Sequence, residues 1–173
     1  MSIISFVDDT ILGIWALPVY AYFIWLSVVL SIVDFRELRL PNKYVYPAYG
    51  IVTLGLLVPA AVGNHWGALL QAAMCALVGL ALFMVMHVVY PSGLGMGDVK
   101  LAGIIGLLTG WVSIATAVVA LMLAFFLSAI VSVVLLVSRK ATMKTALPFG
   151  PFMLGGAILA IVYTAWMRTQ FAS

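Results

Sequence analysis

Pro91-Ser92-Gly93-Leu94-Gly95-Met96-Gly97-Asp98-Val99-Lys100 interrupts an otherwise almost continuous apolar sequence with a proline, three alternating glycines and a carboxylate. Whether the chain crosses a bilayer on leaving this stretch decides the fold. A carboxylate at the edge of hydrocarbon is costly, so an ionisable residue there marks a functional site with a partner to be named. The comparable acidic residue elsewhere is Asp34, which is therefore the expected partner of Asp98.

Composition sets the class. Of 173 residues, 66% are hydrophobic and 8% charged, with a mean hydropathy of +1.26. A chain of this length and polarity cannot hide its apolar surface in a soluble core, and it reads as an all-α polytopic membrane protein with the lipid bilayer as its solvent. Eight Lys and Arg against five Asp and Glu are too few for a nucleic-acid footprint. The single cysteine, Cys75, excludes an internal disulfide and a CxxC metal knuckle. His87 has no HExxH or comparable spacing around it and reads as a packed or interfacial histidine. No metal and no cofactor are expected. Met1 to Thr10 carries Asp8 and Asp9 and no basic residue, unlike a secretory signal, and is expected to be a mature N-terminus.

Working outward, apolar runs over about 11–33, 44–62 and 67–89 are each long enough to span a hydrocarbon core of roughly 30 Å. Pro18 is a candidate kink in the first. Asp34 to Lys43 forms a polar connection, in which Pro41 disfavours helix at Leu40 and is suited to open the next helix. Gly63-Asn64-His65-Trp66 turns the chain. After Lys100 the apolar sequence resumes and continues to Val137, too long for one span, with Thr109-Gly110 as the expected break; this gives helices over about 98–108 and 111–137. The basic segment Ser138 to Thr145 precedes a last span over about 147–167.

An 11-residue fourth helix reaches only about 16 Å, so a re-entrant segment is the competing reading. Charge asymmetry decides between them. If six segments cross, Arg36, Arg39, Lys43, Lys100, Arg139, Lys140 and Lys144 all lie on one side, leaving Arg168 on the other. If the fourth does not cross, the Arg139 loop changes sides and the asymmetry collapses. Six spans follow, in a single transmembrane domain covering 1–173, with Asp34 and Asp98 together at the cytoplasmic ends of the first and fourth helices.

Two carboxylates sharing a site cannot both ionise freely, so one holds a proton while the other stays charged. Amide hydrolysis uses that division: the ionised group takes a proton from attacking water, and the protonated one polarises the carbonyl and helps the amine leave. Glycines at 93, 95 and 97 suit unusual backbone angles and close approach of a substrate chain, and a partly unwound segment there offers free backbone groups where it is wetted or buried in protein. Residue chemistry alone leaves other readings open. Asp98 also suits an N-cap of the fourth helix, and Asp34 a loop residue paired with Arg36 or Arg39. A small transport protein relaying protons through the two carboxylates and a non-enzymatic membrane subunit are the rival functions. Ser92-Gly93 lacks a serine-nucleophile pattern and an activating base.

Gly95-Met96-Gly97-Asp98-Val99-Lys100 resembles the GxGDxK signature of the GxGD intramembrane aspartyl proteases, in particular the type IV prepilin peptidase family of bacteria and its archaeal preflagellin relatives. Asp34-Phe35-Arg36 with Arg39-Leu40-Pro41-Asn42 is similar to the first-aspartate motif of that family, and Pro148-Phe149-Gly150-Pro151-Phe152 to its C-terminal PFGPF stretch. The three matches fall in order in a six-span chain. The resemblance implies that Asp34 and Asp98 are the catalytic pair, with Gly95 and Gly97 shaping the active-site loop and Lys100 carried over by position. It implies no metal, and a prepilin substrate whose short basic leader is removed on the cytoplasmic side of the bacterial inner membrane. The long bifunctional members carry an extra N-terminal portion with cysteine pairs that is associated with methylation. This sequence has neither, and so resembles the short, peptidase-only members found with Flp/Tad-type pilus systems.

Overall fold

The computed structural model describes residues 16–37, 42–90, 94–138 and 148–171. The described residues form six α-helices: α1 (Leu17–Glu37), α2 (Asn42–Val62), α3 (Trp66–Val89), α4 (Met96–Val112), α5 (Ile114–Val137) and α6 (Gly150–Phe171). All but α4 are long and apolar enough to cross a membrane. The expected start of the first helix at residue 11 lies outside the described residues. Its end lies further on than expected, at Glu37, so Asp34 belongs to the last turn of α1 rather than to a polar connection. Pro18 is the second residue of α1, where a proline needs no kink.

The fourth helix corrects the sequence reading. It runs 17 residues, about 25 Å at 1.5 Å per residue, and Thr109 and Gly110 lie inside it. The break falls instead at Ser113, which is extended at φ −172°. The Ser113 Oγ caps α5 by accepting from the Thr116 N–H at 3.0 Å. Thr109 offers no break because its hydroxyl donates back to the Ile105 carbonyl at 2.7 Å. Gly110 is there for packing: a Cβ would stand 2.5 Å from the Cys75 Cβ.

From Asp98 to Val112 every residue of α4 except Lys100 is buried. The helix sits inside a ring: α1 packs on α2, α2 on α3, α3 on α5, α5 on α6 and α6 on α1, while α4 touches α2, α3, α5 and α6. A central helix all but surrounded by protein needs neither a lipid-facing stripe nor the full thickness of the bilayer. The outer helices keep large apolar side chains exposed, among them Leu70, Val78, Phe126, Val137 and Val162.

Hydrocarbon tails are as apolar as leucine, so helices in a membrane are held by close packing between small residues. A Cβ on Gly106 would come 2.7 Å from both the Ala76 Cα and the Cys75 carbonyl oxygen, and one on Gly79 would come 3.1 Å from the Ala102 carbonyl oxygen. Ala72, Ala76 and Gly79 thus make the face of α3 against which α4 lies. The same device joins α5 to α6, where a Cβ on Gly156 would stand 2.7 Å from the Ala120 carbonyl oxygen.

Successive helices run antiparallel. Lys100 meets Asn42, His87 meets Leu94, and Gly150 meets Asp34 at one end of the bundle. Gln71 meets Gly110, Thr116 meets Thr164, and Arg168 meets Val112 at the other. Single cysteines at Arg36 and Ser138, in a Cys75→Ser background, are therefore expected to react with an impermeant thiol reagent from the same side of a vesicle, and one at Asn64 from the opposite side. Labelling of Arg36 and Ser138 from opposite sides would mean that α4 does not cross.

Candidate active site

Asp34 and Asp98 come from different helices and meet at the same end of the bundle, within electrostatic reach of each other. Asp34 is 4% exposed and Asp98 9%. An uncompensated charge on a membrane helix costs about 2.5–3.5 kcal/mol even on insertion scales, so the fold must supply partners. It does so with backbone.

Asp34 is held by the start of α6. The Gly150 N–H donates to its Oδ2 at 3.1 Å. Phe149 precedes Gly150 and its carbonyl accepts from the Phe152 and Met153 N–H groups, so the helix is capped at that residue. The Gly150 N–H is thus one of the first donors of α6, which have no partner within the helix and attract negative charge. Phe149 is fixed by an aromatic cluster, with ring centroids 6.2 Å from Phe83 and 5.2 Å from Phe125. The stretch around Gly150 was a motif without a role in the sequence; here it positions a donor.

Asp98 is held by the start of its own helix. Gly95 is the N-cap of α4, and its N–H donates to the Asp98 Oδ2 at 3.1 Å. This is the side-chain half of a capping box; glycine has no side chain to supply the other half. Asp98 is therefore the third residue inside the helix rather than its N-cap. The bond from Gly95 engages one carboxylate oxygen and is compatible with a pairing of Asp98 with Asp34.

The described glycines before Asp98 do not adopt the unusual backbone angles expected of them. Among the described residues no glycine has a positive φ, and the only positive-φ side chain is Asn64 at 55°. Gly95 is extended at φ −75°, ψ 152°, a conformation open to any residue. Gly97 and Lys100 lie within the first turns of α4, not in an unwound loop. A Cβ at Gly95 would stand 3.4 Å from the Asp98 Oδ2, an ordinary contact beside the bond that anchors it. Gly93 and Ser92 lie outside the described residues.

Lys100 turns away from the carboxylates toward α2. Its Nζ donates to the Asn42 Oδ1 at 2.8 Å and stands 4.7 Å from the centre of the Tyr46 ring, and its carbonyl accepts from the Tyr49 hydroxyl. These contacts tie α2 to the first turn of α4. His87, expected to be packed or interfacial, closes the other flank: its ring Nδ1 lies 2.6 Å from the Leu94 carbonyl oxygen. That oxygen only accepts, so Nδ1 carries the proton. The bond fixes the residue next to the Gly95 cap. Among the described residues no three His, Cys, Asp or Glu side chains gather as a metal-ligand group.

The sequence profile of the Type IV leader peptidase family matches residues 21–137, and the chain belongs to that family. It is 34% identical over 157 residues to a prepilin leader peptidase/N-methyltransferase of Pseudomonas putida, covering 86% of this chain and 50% of that protein. It is 30% identical over 154 residues to a protein of the same name from Escherichia coli K12, covering 86% and 64%. It is 31% identical over 140 residues to the leader peptidase HopD of Escherichia coli, covering 79% and 87%. The chain thus spans half to two thirds of the two bifunctionally named relatives and most of HopD. No solved structure matches. The family match ends before α6, so Gly150 lies beyond it.

Replacing His87 by Leu would leave the carbonyl of buried Leu94 without its donor, which costs about 1–3 kcal/mol. His87→Leu is expected to lower the melting temperature in detergent clearly more than Met86→Leu beside it. Equal melting of the two variants would show that the bond to Leu94 does not support the Gly95 turn.

Proposed function

We propose that this protein is a prepilin leader peptidase that works as an intramembrane aspartyl endopeptidase, with Asp34 and Asp98 as its catalytic pair. The observation that carries the reading is two buried carboxylates from separate helices, meeting at one end of a membrane bundle and each anchored by the first N–H groups of a helix. The Gly150 and Gly95 anchors engage the Oδ2 atoms and leave the Oδ1 atoms for the reacting groups.

One carboxylate is ionised and accepts a proton from water as the water oxygen bonds to the scissile carbonyl carbon; the other is protonated and donates to the carbonyl oxygen. The tetrahedral species then collapses, the C–N bond breaks, and the leaving nitrogen takes a proton from the pair. A backbone-anchored oxygen on each residue keeps the two side chains oriented through both steps, so that little reorganisation is needed as charge moves.

A prepilin suits the architecture because its basic leader is hydrophilic and the segment beyond the bond is an apolar helix. Arg36, Lys43 and Lys100 belong to the carboxylate end and Arg168 to the other, which supports a cytoplasmic active site in the bacterial inner membrane. The clustered cations favour anionic headgroups by about 1 kcal/mol each. Peptidase activity without methyl transfer is the reading favoured by the likeness to HopD, a relative named as a leader peptidase alone.

The test is cleavage of a prepilin by the reconstituted protein. Asp34→Asn and Asp98→Asn are each expected to abolish processing while inserting normally, and the double variant to lose no more than either one, because groups that act as a unit are non-additive. Asn at 98 still accepts the Gly95 N–H, which separates the loss of chemistry from the loss of the cap. The product is expected to carry a new N-terminus and no methyl group when S-adenosylmethionine is supplied. Substantial cleavage by either folded Asn variant would contradict the aspartyl mechanism.

A further inference from the structure

Where α1 and α6 pack together they leave an open groove of about 410 Å³ on the outer face of the bundle. On α1 its wall is a single stripe from Ile24 through Val28 and Ile32 to Phe35, all exposed. That stripe covers three turns, about 17 Å of helix. Ser27 and Ser31 lie between these residues, and Pro151, Gly155 and Ile158 form the opposite wall. The groove is continuous with the carboxylate site: Phe35 follows Asp34, and Pro151 follows the Gly150 that holds it.

We propose, resting on the peptidase reading, that this groove seats the apolar helix of the precursor, with the scissile bond at its Asp34 end. Apolar surface alone does not select a helix over lipid; small residues that let backbones approach do. Ser27, Ser31 and Gly155 supply such a floor. The Ser27 hydroxyl is already satisfied by the Phe23 carbonyl at 2.7 Å, so it presents no unmet polar group to an apolar partner. A Cβ at Gly155 would meet nothing within 4 Å, which leaves room above it for a neighbouring helix. At about 17 Å the groove takes roughly the first 11 residues of a helix beginning at the cut, and that helix then continues into lipid. The larger groove of about 510 Å³ between α3 and α5 is lined from Gly67 to Gly79 and by Ile114 onward. Its wall reaches Gly79, which packs on Ala102, but it includes no neighbour in sequence of Asp34, Asp98 or the two groups that hold them.

The experiment compares Gly155→Leu, whose side chain extends into the groove, with Gly67→Leu, which extends into the α3–α5 groove where a Cβ also meets nothing within 4 Å. Each full-length variant is assayed on a complete prepilin and on a peptide carrying the leader and only the first few residues after the cut. Gly155→Leu is expected to raise KM for the complete precursor about tenfold or more, the scale of losing one close helix contact, and to leave cleavage of the peptide unchanged. Gly67→Leu is expected to change neither. A photoreactive side chain replacing Val28 in the Asp98→Asn protein is expected to capture the precursor helix. Unchanged KM for the precursor, equal loss on both substrates, or capture of a second copy of this chain instead of precursor would overturn the groove assignment. Failure of the unmodified protein to cut the precursor at all would instead remove the peptidase reading.

Discussion

The backbone approach of α3 and α4, with Gly106 laid against Ala76, is the contact on which the rest depends. With no hydrophobic force to drive apolar helices together inside hydrocarbon, a helix reaches the middle of a bundle only where small residues admit its backbone. Gly79, Gly103, Gly106 and Gly110 do this along α3 and α4. The central position then follows, and with it a helix too short to be lipid-facing. It carries Asp98 at its first turn into protein rather than lipid. The same packing brings the start of α6 within reach of Asp34.

A common electrostatic solution serves both carboxylates. Each is held by N–H groups at a helix start, Asp34 by Gly150 of α6 and Asp98 by the Gly95 cap of α4. Helix N-termini carry about half an elementary positive charge, which helps to offset two buried anions. Lys100, two residues from Asp98, is occupied by Asn42 and Tyr46. For the proposed pair such anchoring suits proton exchange, whereas a permanent cation bonded to either carboxylate would favour a single charged state.

Much of this was legible in the sequence because it rests on side-chain type and spacing. Apolar runs of about 20 residues give spans, and counting them puts Asp34 at the close of the first and Asp98 at the opening of the fourth on one side of the membrane. Thr109-Gly110 misled because a polar residue beside a glycine resembles a turn; its meaning is packing against Cys75, which only a neighbour's position reveals. The glycines before Asp98 were read for backbone angles, and the described ones adopt ordinary angles. The donors from Gly150 and Gly95 are backbone groups, which every residue except proline possesses, so no letter in the sequence marks them. His87 reads from the sequence as packed or interfacial, but its partner is a carbonyl, equally silent in the sequence.

The central claim is that Asp34 and Asp98 act as one unit sharing a proton. The pH dependence of kcat/KM for prepilin cleavage by the reconstituted protein tests it most directly. A working pair has one carboxyl protonated and one ionised, so activity falls at low pH as both protonate and at high pH as both ionise. The account predicts a bell-shaped profile whose two limbs belong to the pair rather than to either residue. A profile that rises through a single ionisation to a plateau, in protein that remains folded across the range, would contradict it.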